Sequence, residues 1–191
     1  MANINLNIIL RYGIYFIDDT DIPINIACDR ASLAKNSIKG KYETYFAHYD
    51  DTSRQKLLNE QFITSNMKNA LDSGQFNVYF QPKYNLKTEN VAGCEALVRW
   101  IHPERGIMSP AEFIPLFEKN GFITDLDIYI WEQCCKKMRE WLDGDGFMMP
   151  ISVNVSRADV YNPQLPDILT TMIKKYHLSP SYLHLEITET A

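Results

Sequence analysis

Four strand-like segments of this 191-residue chain carry polar side chains at alternate positions. Residues 76–82 hold Gln81, residues 93–100 hold Glu95 and Arg99, residues 151–156 hold Asn154, and residues 183–189 hold Glu186 and Glu189. A strand sends successive side chains to opposite faces. Glu95, Leu97 and Arg99 therefore share one face, opposite Cys94, Ala96, Val98 and Trp100. Ser152, Asn154 and Ser156 oppose Ile151, Val153 and Val155, and His184, Glu186 and Thr188 oppose Leu183, Leu185 and Ile187. Carboxylates and amides gathered on the side away from the apolar face are the donor set that a hard cation takes.

From Gln75 onward such strands alternate with helical patterns, which predicts an α/β architecture. Ser109-Pro110-Ala111-Glu112 reads as a helix start with a serine cap, proline in the first turn and glutamate three residues on. A second cap, Thr124, opens a helix to about Leu142, and a further helix spans about residues 165–176. Four strands of five or six residues with two or three helices do not close a (β/α)8 barrel, which takes ~250 residues. They make an open sheet with an apolar edge. Before Gln75, residues 4–17 read as one or two strands and residues 22–38 as a helix stopped by Gly40. Residues 42–49 read as an aromatic strand whose rings pack a sheet core. Residues 53–73 form one helix ended by Gly74.

A hydrophobic content of 46% with 12% aromatic residues supports a packed core rather than disorder. The net charge of −5 offers no general basic surface, which argues against a nucleic-acid polymer as partner. No apolar run reaches the ~18 to 20 residues of a membrane span, and the first residues lack the pattern of a signal peptide. The expected setting is the cytoplasm, with an anchor conceivable only in an upstream region. Cys28, Cys94, Cys134 and Cys135 form no CxxC pair and read as reduced, mostly buried side chains.

Residues 76–190 closely resemble the EAL domains of cyclic di-GMP phosphodiesterases. Six motifs carry the resemblance in order: Tyr79-Phe80-Gln81-Pro82, Glu95-Ala96-Leu97-Val98-Arg99-Trp100, His102-Pro103-Glu104-Arg105-Gly106, Pro110-Ala111-Glu112-Phe113-Ile114-Pro115, Val153-Asn154-Val155-Ser156 and Leu185-Glu186-Ile187-Thr188-Glu189-Thr190. The resemblance implies the first four strands of an EAL-type (β/α)8 barrel, the first strand antiparallel. It also implies hydrolysis of cyclic di-GMP to pGpG at a two-metal Mg²⁺ or Mn²⁺ site. On the same ground Glu95, Asn154 and Glu186 are expected as metal ligands. Gln81, Leu97 and Arg99 are expected to meet the substrate, and Glu189 to support the metal ligands from behind. The family's later ligands and its catalytic base would follow Ala191. This chain is thus expected to hold about half of the site and to be inactive alone.

Residues 1–50 resemble the tail of a GGDEF (diguanylate cyclase-like) domain, through Gly13-Ile14-Tyr15-Phe16, residues 27–35 and Gly40-Lys41-Tyr42. The expected organisation is a GGDEF-like remnant over 1–50, a linker helix over 51–74 and the N-terminal half of an EAL domain over 75–191. A homodimer through the EAL domain is a further expectation. Two other readings stand beside the hydrolase: a cyclic di-GMP receptor without turnover, and a fragment held together by association.

Individual residues also carry plainer readings. Glu95 could be a carboxylate paired with Arg99 or Lys83, and Lys83 could serve solvent or a salt bridge. A Trp-x-His-Pro turn accounts for His102, and strand packing for His184.

Overall fold

The computed structural model describes residues 9–17, 21–41, 43–144 and 148–187. They fall into two compact units, residues 1–62 and 63–191.

The first unit is a β-α-β arrangement. Strand β1 (Tyr12–Ile14) pairs in parallel with β2 (Phe46–His48), and helix α1 (Ile24–Ser37) connects them. A Cβ on Gly13 would lie 1.7 Å from the Ala31 carbonyl oxygen, so only glycine lets α1 pack this closely. The Arg30 guanidinium lies 4.9 Å from the Tyr15 ring centroid, 5.4 Å from that of Tyr49, and donates to the Tyr15 hydroxyl. The aromatic strand expected over 42–49 shrinks to three residues, and Tyr45 and Phe46 are exposed rather than core. A strand with one neighbour has no second layer to bury that face. Tyr42 lies outside the described residues. Cys28 is exposed, against the expectation for it, whereas Cys94, Cys134 and Cys135 are buried, and all four thiols are free.

Helix α2 (Asp51–Asp72) carries the chain into the second unit, where Ile63 and Ala70 are buried. Gly74 follows with φ 71°, a left-handed turn that glycine adopts without strain. The second unit is built on a five-stranded sheet. Strands β3 (Phe76–Tyr84), β4 (Val91–His102), β6 (Ile151–Val155) and β7 (Leu183–Ile187) lie in that order, and β5 (Gly106–Met108) folds back on β4. β3 is antiparallel to β4, and β4, β6 and β7 run parallel. This is the expected antiparallel first strand of a partial barrel. β5 was not legible, and β3 and β4 are longer than expected. They extend past the sheet as a hairpin whose turn is held by Asn85 Oδ1, which accepts from the Lys87 and Thr88 amides.

Helix α3 (Pro110–Asn120) starts as its cap predicts, the Ser109 amide donating to Glu112 Oε1 at 3.1 Å. Helix α4 (Ile123–Asp143) starts ahead of Thr124, so Thr124 is not its cap. Asn120 Oδ1 instead accepts from the Phe122 amide at 3.0 Å, immediately after Gly121 ends α3 in a left-handed conformation. Leu126, Ile130, Trp131, Cys134 and Met138 of α4 are buried, and the helix packs on β3, β4 and β6. Two shorter helices, α5 (Arg157–Val160) and α6 (Leu165–Lys175), lead to β7. On β7, Leu185 and Ile187 are 44% and 64% exposed, the bare apolar edge the sequence foretold.

An aromatic cluster joins the start of β3 and the end of β4 to α3. Phe76, Trp100, Phe113 and Phe117 lie with ring centroids 5.0 to 6.2 Å apart, and Trp100 Nε1 donates to Gln75 Oε1 at 3.0 Å. Phe117 is wholly buried and also meets Phe122 at 4.9 Å. Its truncation removes a large apolar contact area and opens a cavity. Phe117→Ala should cost about 3 to 5 kcal/mol of unfolding free energy. Urea denaturation at constant slope checks this, and a loss under about 1 kcal/mol would place the core elsewhere.

Candidate functional site

Register decides which side chains meet. In the β3–β4 ladder Gln81 lies opposite Glu95, Tyr79 opposite Leu97 and Lys83 opposite Gly93. Between β4 and β6, Glu95 pairs with Ser152, and between β6 and β7, Asn154 pairs with Glu186. Gln81, Lys83, Glu95, Leu97, Arg99, Ser152, Asn154 and Glu186 thus occupy one face, away from the apolar side covered by α4.

Glu95 is half-buried, and Asn154 Nδ2 lies 3.5 Å from its Oε1. Neither proposed cation partner holds Glu95. Arg99 donates to the Val98 carbonyl at 2.7 Å, with its guanidinium 6.0 Å from the Tyr79 ring centroid. Lys83 reaches across to β7, where its ammonium donates to Glu186 Oε1 and, at 3.0 Å, to Ser152 Oγ. That ammonium holds the Glu186 carboxyl below its ordinary value, against burial acting the other way. The salt-bridge reading of Lys83 is therefore the one realised, with a partner that sequence reasoning did not name. Its place on this face was legible, since it follows Gln81 by two positions.

Leu97, Arg99 and Asn154 line a cavity of about 300 Å³ together with Ile114 and Ile130. Gln81, Glu95 and Glu186 lie outside that lining. Gln81 is exposed, directly across the ladder from Glu95. Glu189 lies outside the described residues. His102 behaves as its plainer reading requires, whereas His184 is exposed rather than packed in the strand. His102 is buried, and its Nδ1 accepts from the Glu104 and Arg105 amides, closing the turn. His184 Nε2 lies 3.1 Å from the Ser181 carbonyl.

Helix α4 fixes the β6 end of this face. Trp131 Nε1 donates to the Asn154 carbonyl at 3.1 Å. One turn earlier, Asp127 shares a hydrogen bond with Asp159, which is 1% exposed and accepts from Ser156 Oγ at 2.5 Å. Burial and then the neighbouring Asp159 push the Asp127 carboxyl up to about 9. A proton kept on Asp127 lets its carboxyl hydrogen-bond to Asp159 where two adjacent charges would repel. Nothing local in the sequence marks this pair, since its members lie on separate elements.

Two carboxylates and an amide oxygen are hard donors of the kind that Mg²⁺ or Mn²⁺ takes. Among the described residues no three Asp, Glu, His or Cys side chains cluster closely enough to hold a metal by themselves. A donor set built on Glu95 and Glu186 would therefore need an amide oxygen, and Asn154 would present Oδ1 once its amide is turned over.

The comparisons with known proteins agree with this architecture. The pattern that defines the EAL domain matches residues 64–191. Over 160 residues the chain is 29% identical to the bifunctional diguanylate cyclase/cyclic di-GMP phosphodiesterase MucR of Pseudomonas aeruginosa, covering 84% of this chain and 23% of MucR. It is 31% identical over 166 residues to the probable cyclic di-GMP phosphodiesterase PdeI of Escherichia coli, covering 85% of this chain and 21% of PdeI. The chain thus spans under a quarter of the length of either relative. The structure of the PaMucR phosphodiesterase in its c-di-GMP complex superposes with a TM-score of 0.63 at 35% identity, over 66% of this chain and 51% of that one. Among the described residues no helix is long and apolar enough to cross a membrane.

The raised Asp127 carboxyl makes stability depend on pH. Its carboxyl titrates higher in the folded chain than its ordinary 3.8, so the proton favours the fold. That stabilisation is complete below the ordinary value and drains away as pH rises toward about 9. Asp127→Asn keeps a donor for Asp159 and cannot ionise. Its melting temperature relative to the wild type should climb steadily in melts from pH 5 to pH 9, and a flat difference would contradict the raised Asp127 carboxyl. The chain belongs to the EAL domain family.

Proposed function

We propose that this chain supplies the N-terminal half of a metal-dependent cyclic di-GMP phosphodiesterase site. The observation that carries the reading is the register that puts Glu95, Asn154, Glu186 and Arg99 on one face of an EAL-family sheet. In this reading Glu95, Asn154 and Glu186 would hold Mg²⁺ or Mn²⁺, with Glu189 as a supporting carboxylate. When bound, such ions neutralise growing phosphate charge and make a water more acidic.

The chain's own residues bind and orient. Arg99 presents a planar guanidinium suited to a phosphate's paired oxygens. Its contact with the Tyr79 ring limits the directions it can take. Leu97 and Ile114 give the neighbouring cavity an apolar wall for a flat base. Gln81, opposite Glu95, would offer its amide to the ligand beside the donor set.

The wider organisation is proposed in the same terms: a GGDEF-like remnant over 1–50, a connecting helix, and the EAL half from about residue 75. The EAL match begins at residue 64 and the second unit at residue 63, so the last turns of α2 go with the EAL half. Four free thiols accord with a reducing, cytoplasmic setting.

The test is metal-dependent conversion of cyclic di-GMP to pGpG by the full-length protein that carries this segment. Glu95→Gln should abolish turnover and leave the circular dichroism unchanged. Arg99→Ala should weaken ligand binding by about 1.5 to 3 kcal/mol, the worth of a charge-assisted contact. Wild-type turnover by the Glu95 variant would refute the ligand assignment. Metal-supplemented binding without any turnover would assign the protein as a receptor.

A further inference from the structure

The Lys83–Glu186 contact joins the first strand of the sheet to the last across two intervening strands. Glu95 stands on the strand directly beside Lys83, yet the ammonium goes to β7. Gly93 explains the route. It is the cross-strand partner of Lys83, so no side chain stands between Lys83 and β6. A Cβ there would come within 2.8 Å of the Pro150 carbonyl oxygen, which the β4–β6 approach leaves no room for. The ammonium then has two oxygen partners, Glu186 Oε1 and Ser152 Oγ, on adjacent strands. Both charged side chains are 38% exposed, so the pair is neither sealed in nor loose in solvent.

We propose that Lys83 is a tethered cation that competes with a divalent ion for Glu186 and thereby sets the metal affinity of this face. The proposal rests on the reading of Glu95, Asn154 and Glu186 as the metal donors. A divalent ion arriving at Glu186 meets a carboxylate already neutralised and a positive charge a few ångströms away. It must displace the ammonium from the oxygen or bind beside it against repulsion. Ser152 gives the displaced ammonium a resting partner, so the exchange leaves no donor stranded. For a double and a single charge about 5 Å apart in a water-like medium, the repulsion corresponds to roughly a tenfold loss in binding constant.

Mn²⁺ alone is the probe, titrated calorimetrically into the intact chain in a buffer free of phosphate. Lys83→Met keeps the length and slimness of the side chain and removes the charge. It should bind Mn²⁺ about tenfold more tightly than the wild type. Lys83→Arg keeps the charge and should not gain affinity. Glu95→Gln reports on the donor assignment separately, because the Lys83 ammonium pairs with Glu186 and Ser152 rather than with Glu95. Loss of binding in Glu95→Gln with unchanged affinity in Lys83→Met overturns the competition and leaves the metal site standing. Full binding in Glu95→Gln overturns the donor assignment, and the competition with it. Equal gains in the Met and Arg variants would show a packing effect rather than a charge effect and would also overturn the proposal. So would Mn²⁺ binding too weak to detect in both the wild type and Lys83→Met at millimolar ion. Matching circular dichroism spectra establish that each variant is folded.

Discussion

The antiparallel ladder between β3 and β4 sets the position of nearly everything else in the second unit. At one end it places Phe76 opposite Trp100 within the aromatic cluster, and near the other it places Gln81 opposite Glu95. A slip of one residue would turn Glu95 toward α4 and expose Cys94 and Ala96. An unpaired carboxylate against Leu126 and Trp131 would cost several kcal/mol, so burial of the apolar face holds the polar face in register. β4 then hands that register on. Glu95 pairs with Ser152 and Asn154 with Glu186, so donors far apart in the chain come onto one surface without a loop having to place them.

Helix α4 is the second anchor, and it does two jobs with one face. Its buried apolar residues cover the sheet, while Trp131 and Asp127 reach the end of β6 with hydrogen bonds. The indole donates to the backbone of Asn154, which leaves that residue's amide group for the polar side. Asp127 acts through Asp159 and Ser156, where β6 gives way to α5. A protonated Asp127 inside this junction is a costly way to fasten two elements. It is tolerated because Asp127 and Ser156 both hydrogen-bond to Asp159.

Much of this was legible because it is local. Alternation along residues 93–100 and 151–156 named the two faces of each strand, and the Ser109–Glu112 pattern marked the start of α3. The long helices followed from their apolar periodicity and from Gly40 and Gly74. What escaped depends on partners distant in sequence. β5 exists because the chain after His102 turns back onto β4, and three residues carry no periodic signal. Thr124 looked like a cap because the capping chemistry is right, but the left-handed Gly121 and Asn120 had already started the next helix. The aromatic run near Phe46 reads as core because such residues favour strands, but among the described residues β2 pairs with β1 alone. The Asp127–Asp159 pair and the Lys83–Glu186 pair needed the topology before either could be seen.

The charges on the polar face explain why its basic residues are divided as they are. Glu95 and Glu186 contribute two negative charges, and Lys83 returns one positive charge through Glu186. Glu95 is left with the amide of Asn154, a neutral donor that stabilises a carboxylate without cancelling its charge. Had Arg99 turned to Glu95, both carboxylates of the face would be paired and the guanidinium occupied. Instead Arg99 lies against Tyr79 and the Val98 carbonyl, contacts that hold its position and leave its charge uncompensated. One side of the face therefore keeps a net negative centre around Glu95 and Asn154, and the other a positive group beside a 300 Å³ cavity. A cation beside an anionic, partly apolar ligand meets complementary charge on both halves of that surface, and a neutral ligand of the same shape does not.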